Sequence, residues 1–74
     1  MEKLGNWWNG RDIEIYKIQG KNIALYGWNS EIYGDCFEVD ESLTNIICEN
    51  IEVKPIYQKV DNEDDWEIIN FEII

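Results

Sequence analysis

The stretch from Asp12 to Trp28, DIEIYKIQGKNIALYGW, alternates apolar and charged residues at its start. Ile13 and Ile15 fall at every second position, which places them on one face of an extended strand. Gly20 lies between two apolar runs, where a residue with positive φ closes a tight turn. The stretch therefore predicts a β-hairpin whose return strand runs from Asn22 to Trp28.

The rest of the chain also favours strands. Isoleucine, valine and aromatic residues dominate, whereas alanine occurs once and leucine three times in 74 residues. A third strand is predicted over Ile32–Val39, with a bulge at Gly34 because glycine weakens a strand interior.

Two further strands are predicted in the C-terminal part of the chain. One covers Ile51–Val60 and contains Pro55, which cannot donate to a ladder, so the strand lies at an edge or is bent or split there. The last runs to the end of the chain and alternates Ile69, Phe71 and Ile73 inward.

The segment 42–48 has helical spacing. Leu43, Ile46 and Ile47 fall at i, i+3 and i+4, and Ser42 is a suitable N-cap. A short helix or helical turn is predicted, although the β-branched residues leave a strand open.

About five strands joined by short connections predict an antiparallel, all-β fold. A chain of 74 residues forms a single domain, residues 1–74. A sheet of this size curls into a small barrel or a strongly curved sheet. The alternative is an open sheet that a second copy completes through the apolar C-terminal strand, which would make the protein a homo-oligomer.

The charge is strongly negative and unevenly distributed. The net charge is −10; residues 1–30 carry three acids and four bases, whereas residues 31–74 carry thirteen acids and two bases. Such a surface either keeps the protein soluble or meets a basic partner. It argues against direct binding to nucleic acid, since phosphate contacts need lysine and arginine.

The densest acidic group surrounds the sequence DNEDD. The residues of this predicted partner-binding loop are Asp61, Glu63, Asp64, Asp65, Trp66 and Glu67. A calcium-binding loop of EF-hand type needs glycine at its sixth position, where this chain has Trp66, so no metal site is expected. The loop is instead predicted to be an anionic knob that competes for a cationic groove, with Trp66 as an anchor.

No set of residues typical of catalysis is found. The chain has no histidine, and therefore no Ser-His or Cys-His pair. Cys36 and Cys48 are too few for a zinc site and are expected to be free thiols in or near the core, in reducing cytoplasm. The acidic and apolar neighbours of Cys36 would raise its thiol pKa. We expect no enzyme, no cofactor and no membrane segment.

Three of the four tryptophans form a candidate aromatic site: Trp7, Trp8 and Trp28. Trp7 and Trp8 point to opposite faces if the chain is extended, so one is expected in the core and the other half-exposed. The exposed residue would be an interface anchor, or would stack on a nucleotide or a sugar beside Asn6, Asn9 and Asn29.

In size, charge and lack of a catalytic set, the chain resembles the small acidic inhibitors that phages and mobile elements use against host defence, including anti-restriction and anti-CRISPR proteins. No aligned motif carries this resemblance. It implies a stoichiometric inhibitor in the bacterial host cytoplasm that occludes the basic groove of a nucleic-acid-handling enzyme, as a DNA mimic does. The alternatives are a small-molecule sequestering module with a Trp/Asn-lined pocket, and a structural or accessory protein that assembles through its C-terminal strand.

Overall fold

The described part of the protein forms one curved sheet. A computed structural model describes residues 2–7, 13–27, 31–61 and 65–74. Within these ranges the strands are β1 (Glu2–Asn6), β2 (Glu14–Ile18), β3 (Lys21–Ala24), β4 (Tyr33–Val39), β5 (Ile46–Lys59) and β6 (Trp66–Ile73). They form an antiparallel sheet in chain order that curves strongly into a half-barrel. The predicted all-β, curved antiparallel fold is confirmed, and β1, which pairs with β2, is the strand that the sequence did not predict.

The β2–β3 hairpin turns at Gln19 and Gly20. Both residues have positive φ, 49° and 79°, and Ile18 pairs with Lys21 on either side of them. A two-residue turn with this backbone matches the right-handed twist of the flanking strands. The predicted hairpin is confirmed, with a shorter return strand that ends at Ala24.

Apolar residues occupy both faces of the sheet. Ile15 pairs with Ala24 and Tyr16 pairs with Ile23, and because side chains alternate along a strand the two pairs lie on opposite faces. The outer cluster contains Trp7, Ile13, Ile15, Ala24 and Val39, and the inner cluster contains Ile18, Ile23, Cys36, Val53 and Phe71.

Curvature brings β6 towards the β2–β3 turn and encloses the inner cluster. The amide of Ile73 donates to Oε1 of Gln19 at 2.6 Å, and the amide of Phe71 donates to Oδ1 of Asn70 at 2.8 Å. Side chains thus bond two N–H groups of β6, the strand that follows β5 at the end of the sheet. β6 is therefore less suited to pairing with a second copy than an edge strand with unbonded N–H groups would be.

The short helix predicted over residues 42–48 is wrong. Asp40 organises a turn there: its carboxylate accepts from the amides of Thr44 and Asn45 and from the hydroxyl of Ser42, and β5 begins at Ile46. Ser42 therefore bonds Asp40 rather than capping a helix. Hydrogen bonds from an aspartate to nearby amides replace those of a helical turn, and the β-branched residues that follow favour the β4–β5 ladder.

The bulge predicted at Gly34 is confirmed. Tyr33 pairs with Val53 and Cys36 with Ile51, so two residues of β4 oppose one of β5. Asp35, the second bulge residue, has φ of 55°. A bulge of this kind bends the strand and raises its twist, which contributes to the curvature of the sheet.

Pro55 lies in the part of β5 whose described pairs are with β6 alone. β5 lies between β4 and β6 in the sheet, and Val53 pairs with both neighbours. From Lys54 to Lys59, the described pairs all run to β6. Pro55 thus occupies a local edge, as predicted, and its missing N–H leaves no gap in a central ladder.

Candidate protein-binding surface

The end of the β5–β6 hairpin extends beyond the rest of the sheet. Residues 54–59 of β5 and 66–72 of β6, here called the arm, pair with each other and not with β4. The longest dimension of the molecule is accordingly 42 Å, against 24 and 19 Å for the other two. A two-stranded hairpin alone is only marginally stable in water, so this arm would gain stability from contact with another surface.

An apolar stripe follows the inner face of the arm. Cross-strand partners share a face, and the pairs on this face are Val53–Ile73, Pro55–Phe71, Tyr57–Ile68 and Lys59–Trp66. The stripe begins at Val53 and Phe71 in the inner cluster and becomes steadily more exposed towards the tip. Tyr57 is 44% exposed and Trp66 is 63% exposed. The apolar surface of the core therefore continues out of the core and ends at Trp66, whose cross-strand partner is Lys59.

A bulge at Ile69 makes this stripe continuous. Ile56 pairs with Asn70 and Tyr57 with Ile68, which leaves Ile69 as an extra residue in β6. The inward prediction for Ile69 is therefore wrong, since its side chain is 41% exposed, whereas Ile68 packs against the inner cluster. Phe71 and Ile73 face inward as predicted. Beyond the bulge the inward positions become even-numbered, and this change places Trp66 on the inner face.

Carboxylates surround the tip of the arm. Asp61, Asp65 and Glu67 are exposed, and the amide of Val60 donates to the carbonyl of Asp65 at 3.0 Å, which holds the two strands together at the tip. No hydrogen bond or ion pair joins these three carboxylates to the described part of the chain. Glu67 pairs with Gln58 on the face opposite Trp66, whereas Trp66 pairs with Lys59, so the carboxylates of the tip lie on the other face from the tryptophan or beyond it.

Four of the six predicted partner-binding residues thus lie together at one end of the molecule, and Glu63 and Asp64 fall outside the described residues. Among the residues that the structure describes, no group of three or more His, Cys, Asp or Glu side chains could hold a metal ion. Tyr57 was missed by the sequence analysis, although it follows Val53 and Pro55 at the spacing of two that marks one strand face.

Trp7 is buried rather than presented to a ligand. Its side chain is 8% exposed and its ring packs edge-on against Phe37, with centroids 5.0 Å apart. Its ring therefore stabilises the outer cluster and offers no open face for stacking. Trp8 and Trp28, the other residues of the candidate aromatic site, lie outside the described residues.

The two cysteines are free thiols, as predicted. Cys36 is buried, and burial raises the pKa of its thiol, the direction expected from its neighbours. Its sulfur lies 3.3 Å from the carbonyl oxygen of Tyr33, a setting that favours a packed thiol over a nucleophile. Cys48 is exposed, and the prediction that it lies in or near the core is wrong.

Glu14 and Tyr16 form a polar pair at the β1–β2 edge. The phenol of Tyr16 donates to the Glu14 carboxylate, and Lys3 lies 3.3 Å from the same carboxylate. The hydrogen bond from Tyr16, followed by that from Lys3, lowers the pKa of Glu14, while the bond to Glu14 raises the pKa of Tyr16 to about 12. The ion pair of Lys3 with Glu14 joins β1 to β2, and the bond to Glu14 keeps the phenol of Tyr16 protonated.

No family model matches the chain, and comparisons with curated proteins and with solved structures found no significant similarity. Among the described residues, no helix is long and apolar enough to cross a membrane.

Proposed function

We propose that this protein is a non-enzymatic acidic binding protein, a stoichiometric inhibitor that occludes the basic nucleic-acid groove of a host defence enzyme in the bacterial cytoplasm. The observation that carries this proposal is the apolar stripe along the arm, which ends at the exposed Trp66 at a tip that also carries Asp61, Asp65 and Glu67. In this mechanism the arm enters the groove, Trp66 anchors it, and the carboxylates take the place of phosphates.

The anchor contributes most of the affinity. Tryptophan is enriched among the few residues that dominate binding free energy. Burying the exposed part of the Trp66 side chain removes on the order of 150 Å² from water, which corresponds to about 4 kcal/mol before the costs of association. Tyr57 lies one pair closer to the core on the same stripe and extends the contact.

The carboxylates determine the type of partner. The tip carries Asp61, Asp65 and Glu67 in the described part of the chain, and residues 31–74 as a whole carry a large negative excess. Duplex DNA presents about one charge per 1.7 Å of axis, so a groove built for phosphates attracts such a tip over a distance set by the salt concentration. Steering of this kind raises the association rate and selects basic surfaces.

The proposal is tested by capture from a bacterial lysate with the tagged protein, followed by affinity measurement on the purified partner. The partner is expected to bind nucleic acid and to be displaced by excess duplex DNA or RNA. Binding should weaken as salt rises from roughly 0.1 M to 1 M, which shortens the Debye length from about 10 Å to about 3 Å.

Two variants separate the arm from the rest of the surface. Trp66→Ala is expected to weaken binding by about thirtyfold, the effect of losing a residue worth about 2 kcal/mol. Ile47→Ala is the matched control, because Ile47 is an apolar residue that is 59% exposed but lies in the other half of β5. A partner that binds Trp66→Ala as tightly as the native protein, or that nucleic acid does not displace, would refute the proposal.

A further inference from the structure

A depression lies on the outer face of the sheet. It has a volume of about 330 Å³ and is lined by Tyr26, Asp35, Phe37, Glu49 and Asn50. Phe37 packs against the outer cluster, so this face is opposite to the one that carries the apolar stripe of the arm. The volume lies at the small end of the range for ligand sites, about 300–1,000 Å³.

Two bulges on adjacent strands build the depression. Asp35 belongs to the bulge in β4, and in β5 Glu49 and Asn50 together oppose the single residue Phe37. Asp35 and Asn50 both have positive φ, 55° and 59°. Bulges redirect side chains out of the regular alternation of a strand. They thereby bring two carboxylates and an amide beside two aromatic rings.

Buried residues contact the two aromatic residues of the depression. The ring of Phe37 rests edge-on against the buried ring of Trp7. The backbone amide of Tyr26 donates to the buried sulfur of Cys36 at 3.4 Å, which fixes the start of the Tyr26 side chain. The ring of Phe37 and the backbone of Tyr26 are therefore held in place before any ligand arrives, which limits the conformational entropy lost on binding.

We propose that this depression binds an organic cation, the guanidinium of arginine or a related alkyl guanidinium. Aromatic rings attract a cation through their quadrupole, and arginine also stacks on them. The carboxylates of Asp35 and Glu49 supply the acceptors that a guanidinium needs, and none of the described lining residues is a lysine or an arginine. The rings and the concave surface, rather than the negative charge alone, distinguish this place from the other acidic parts of the chain.

The site does not depend on the function proposed for the arm. It lies on the other face, and its ligand is tested with a small molecule in the absence of any partner. A guanidinium is favoured over a metal ion because the two rings attract an organic cation, whereas among the described residues no group of three or more His, Cys, Asp or Glu side chains could hold a metal ion.

The test is a titration of the ¹⁵N-labelled protein with Nα-acetyl-arginine amide, followed by amide chemical shifts. The matched ligand is Nα-acetyl-citrulline amide, which has nearly the same shape and no charge. We expect saturable shifts confined to residues around Tyr26, Phe37 and Asn50 with the arginine compound only. Equal shifts with the citrulline compound, shifts that do not saturate, or the same local shifts with calcium but none with arginine would overturn the proposal.

The double variant Asp35→Asn, Glu49→Gln removes both carboxylates and keeps the shapes of the side chains. Asparagine tolerates the positive φ at position 35, so the bulge is preserved. The variant is expected to bind the arginine compound about tenfold more weakly, because it loses both charged acceptors of the guanidinium. Glu41→Gln, in the exposed turn after β4, is the control and should leave the affinity unchanged. An unchanged affinity in the double variant would refute the assignment.

Discussion

The approach of Gly27 to Gly34 makes a quantitative prediction about stability. Gly27 has φ of 67°, and its carbonyl accepts from the amide of Gly34 at 3.0 Å. A Cβ added to Gly27 would lie 2.5 Å from the carbonyl oxygen of Gly34 and 3.1 Å from the Cβ of Asp35. Because the nearest of these atoms is backbone, Gly27→Ala forces the β3–β4 connection apart instead of displacing a flexible side chain.

Two terms set the size of the effect. Alanine in the left-handed region costs about 1–2 kcal/mol, and loss of the hydrogen bond to Gly34 costs a further 0.5–1.5 kcal/mol or so. We therefore expect Gly27→Ala to lower the free energy of unfolding by about 2–3 kcal/mol. Urea unfolding followed by tryptophan fluorescence measures this change, with thermal unfolding as a second readout.

Gly20→Ala is the matched control. Gly20 also has positive φ, 79°, but a Cβ there meets nothing within 4 Å. It carries the backbone cost alone, and the gain from restricting the unfolded chain is the same for both variants. Gly27→Ala should consequently be less stable than Gly20→Ala by the hydrogen-bond term, about 0.5–1.5 kcal/mol, or roughly 2–12 °C in Tm for a domain of this size. Equal losses in the two variants would refute the steric argument.

Two further predictions concern single hydrogen-bonding side chains. Hydrogen bonds from the Asn45 side chain and from Ser42 hold the pKa of Asp40 well below its usual range, so its contribution to the free energy of unfolding is present above the ordinary carboxylate pKa of about 3.9 and is lost as pH falls towards the folded pKa. In urea unfolding between roughly pH 5 and pH 2, the stability of the native protein should therefore fall more steeply than that of Asp40→Asn. Parallel curves for the two proteins would contradict this. Gln19→Asn keeps a residue that tolerates positive φ but shortens the side chain that accepts from the Ile73 amide. The rate of hydrogen exchange at the Ile73 amide should therefore rise by about tenfold, while exchange at the amides of β3 is unaffected. Unchanged exchange at Ile73 would contradict the role assigned to Gln19.

The parts of the fold that were predictable depend on local chemistry. The alternation at Ile13 and Ile15, the turn at Gly20 and the weakened strand at Gly34 each follow from the conformational limits of a few neighbouring residues. The segment 42–48 was not predictable in this way, because its helical spacing competes with a hydrogen-bonding side chain at Asp40, outside the segment. Pairing with β4 then favours the strand.

The two candidate sites also differ in whether local sequence could predict them. Trp66 and its acidic neighbours are contiguous in sequence, so composition alone could single them out. The depression is lined by Tyr26, Phe37 and Asn50, which come from three different parts of the chain. The two bulges bring these residues together, and Gly34 is the one sequence feature that indicates a bulge.

The bulge at Ile69 explains why the binding face of the arm could not be predicted from the sequence. Strict alternation places Ile69, Phe71 and Ile73 on one face and would turn Trp66 to the other face, away from the core stripe. The extra residue at Ile69 reverses the parity, so that Phe71, Ile68 and Trp66 lie on the same face. Since a single inserted residue decides whether the tryptophan extends the apolar core or stands apart from it, the position of the bulge determines whether the arm has one continuous binding face.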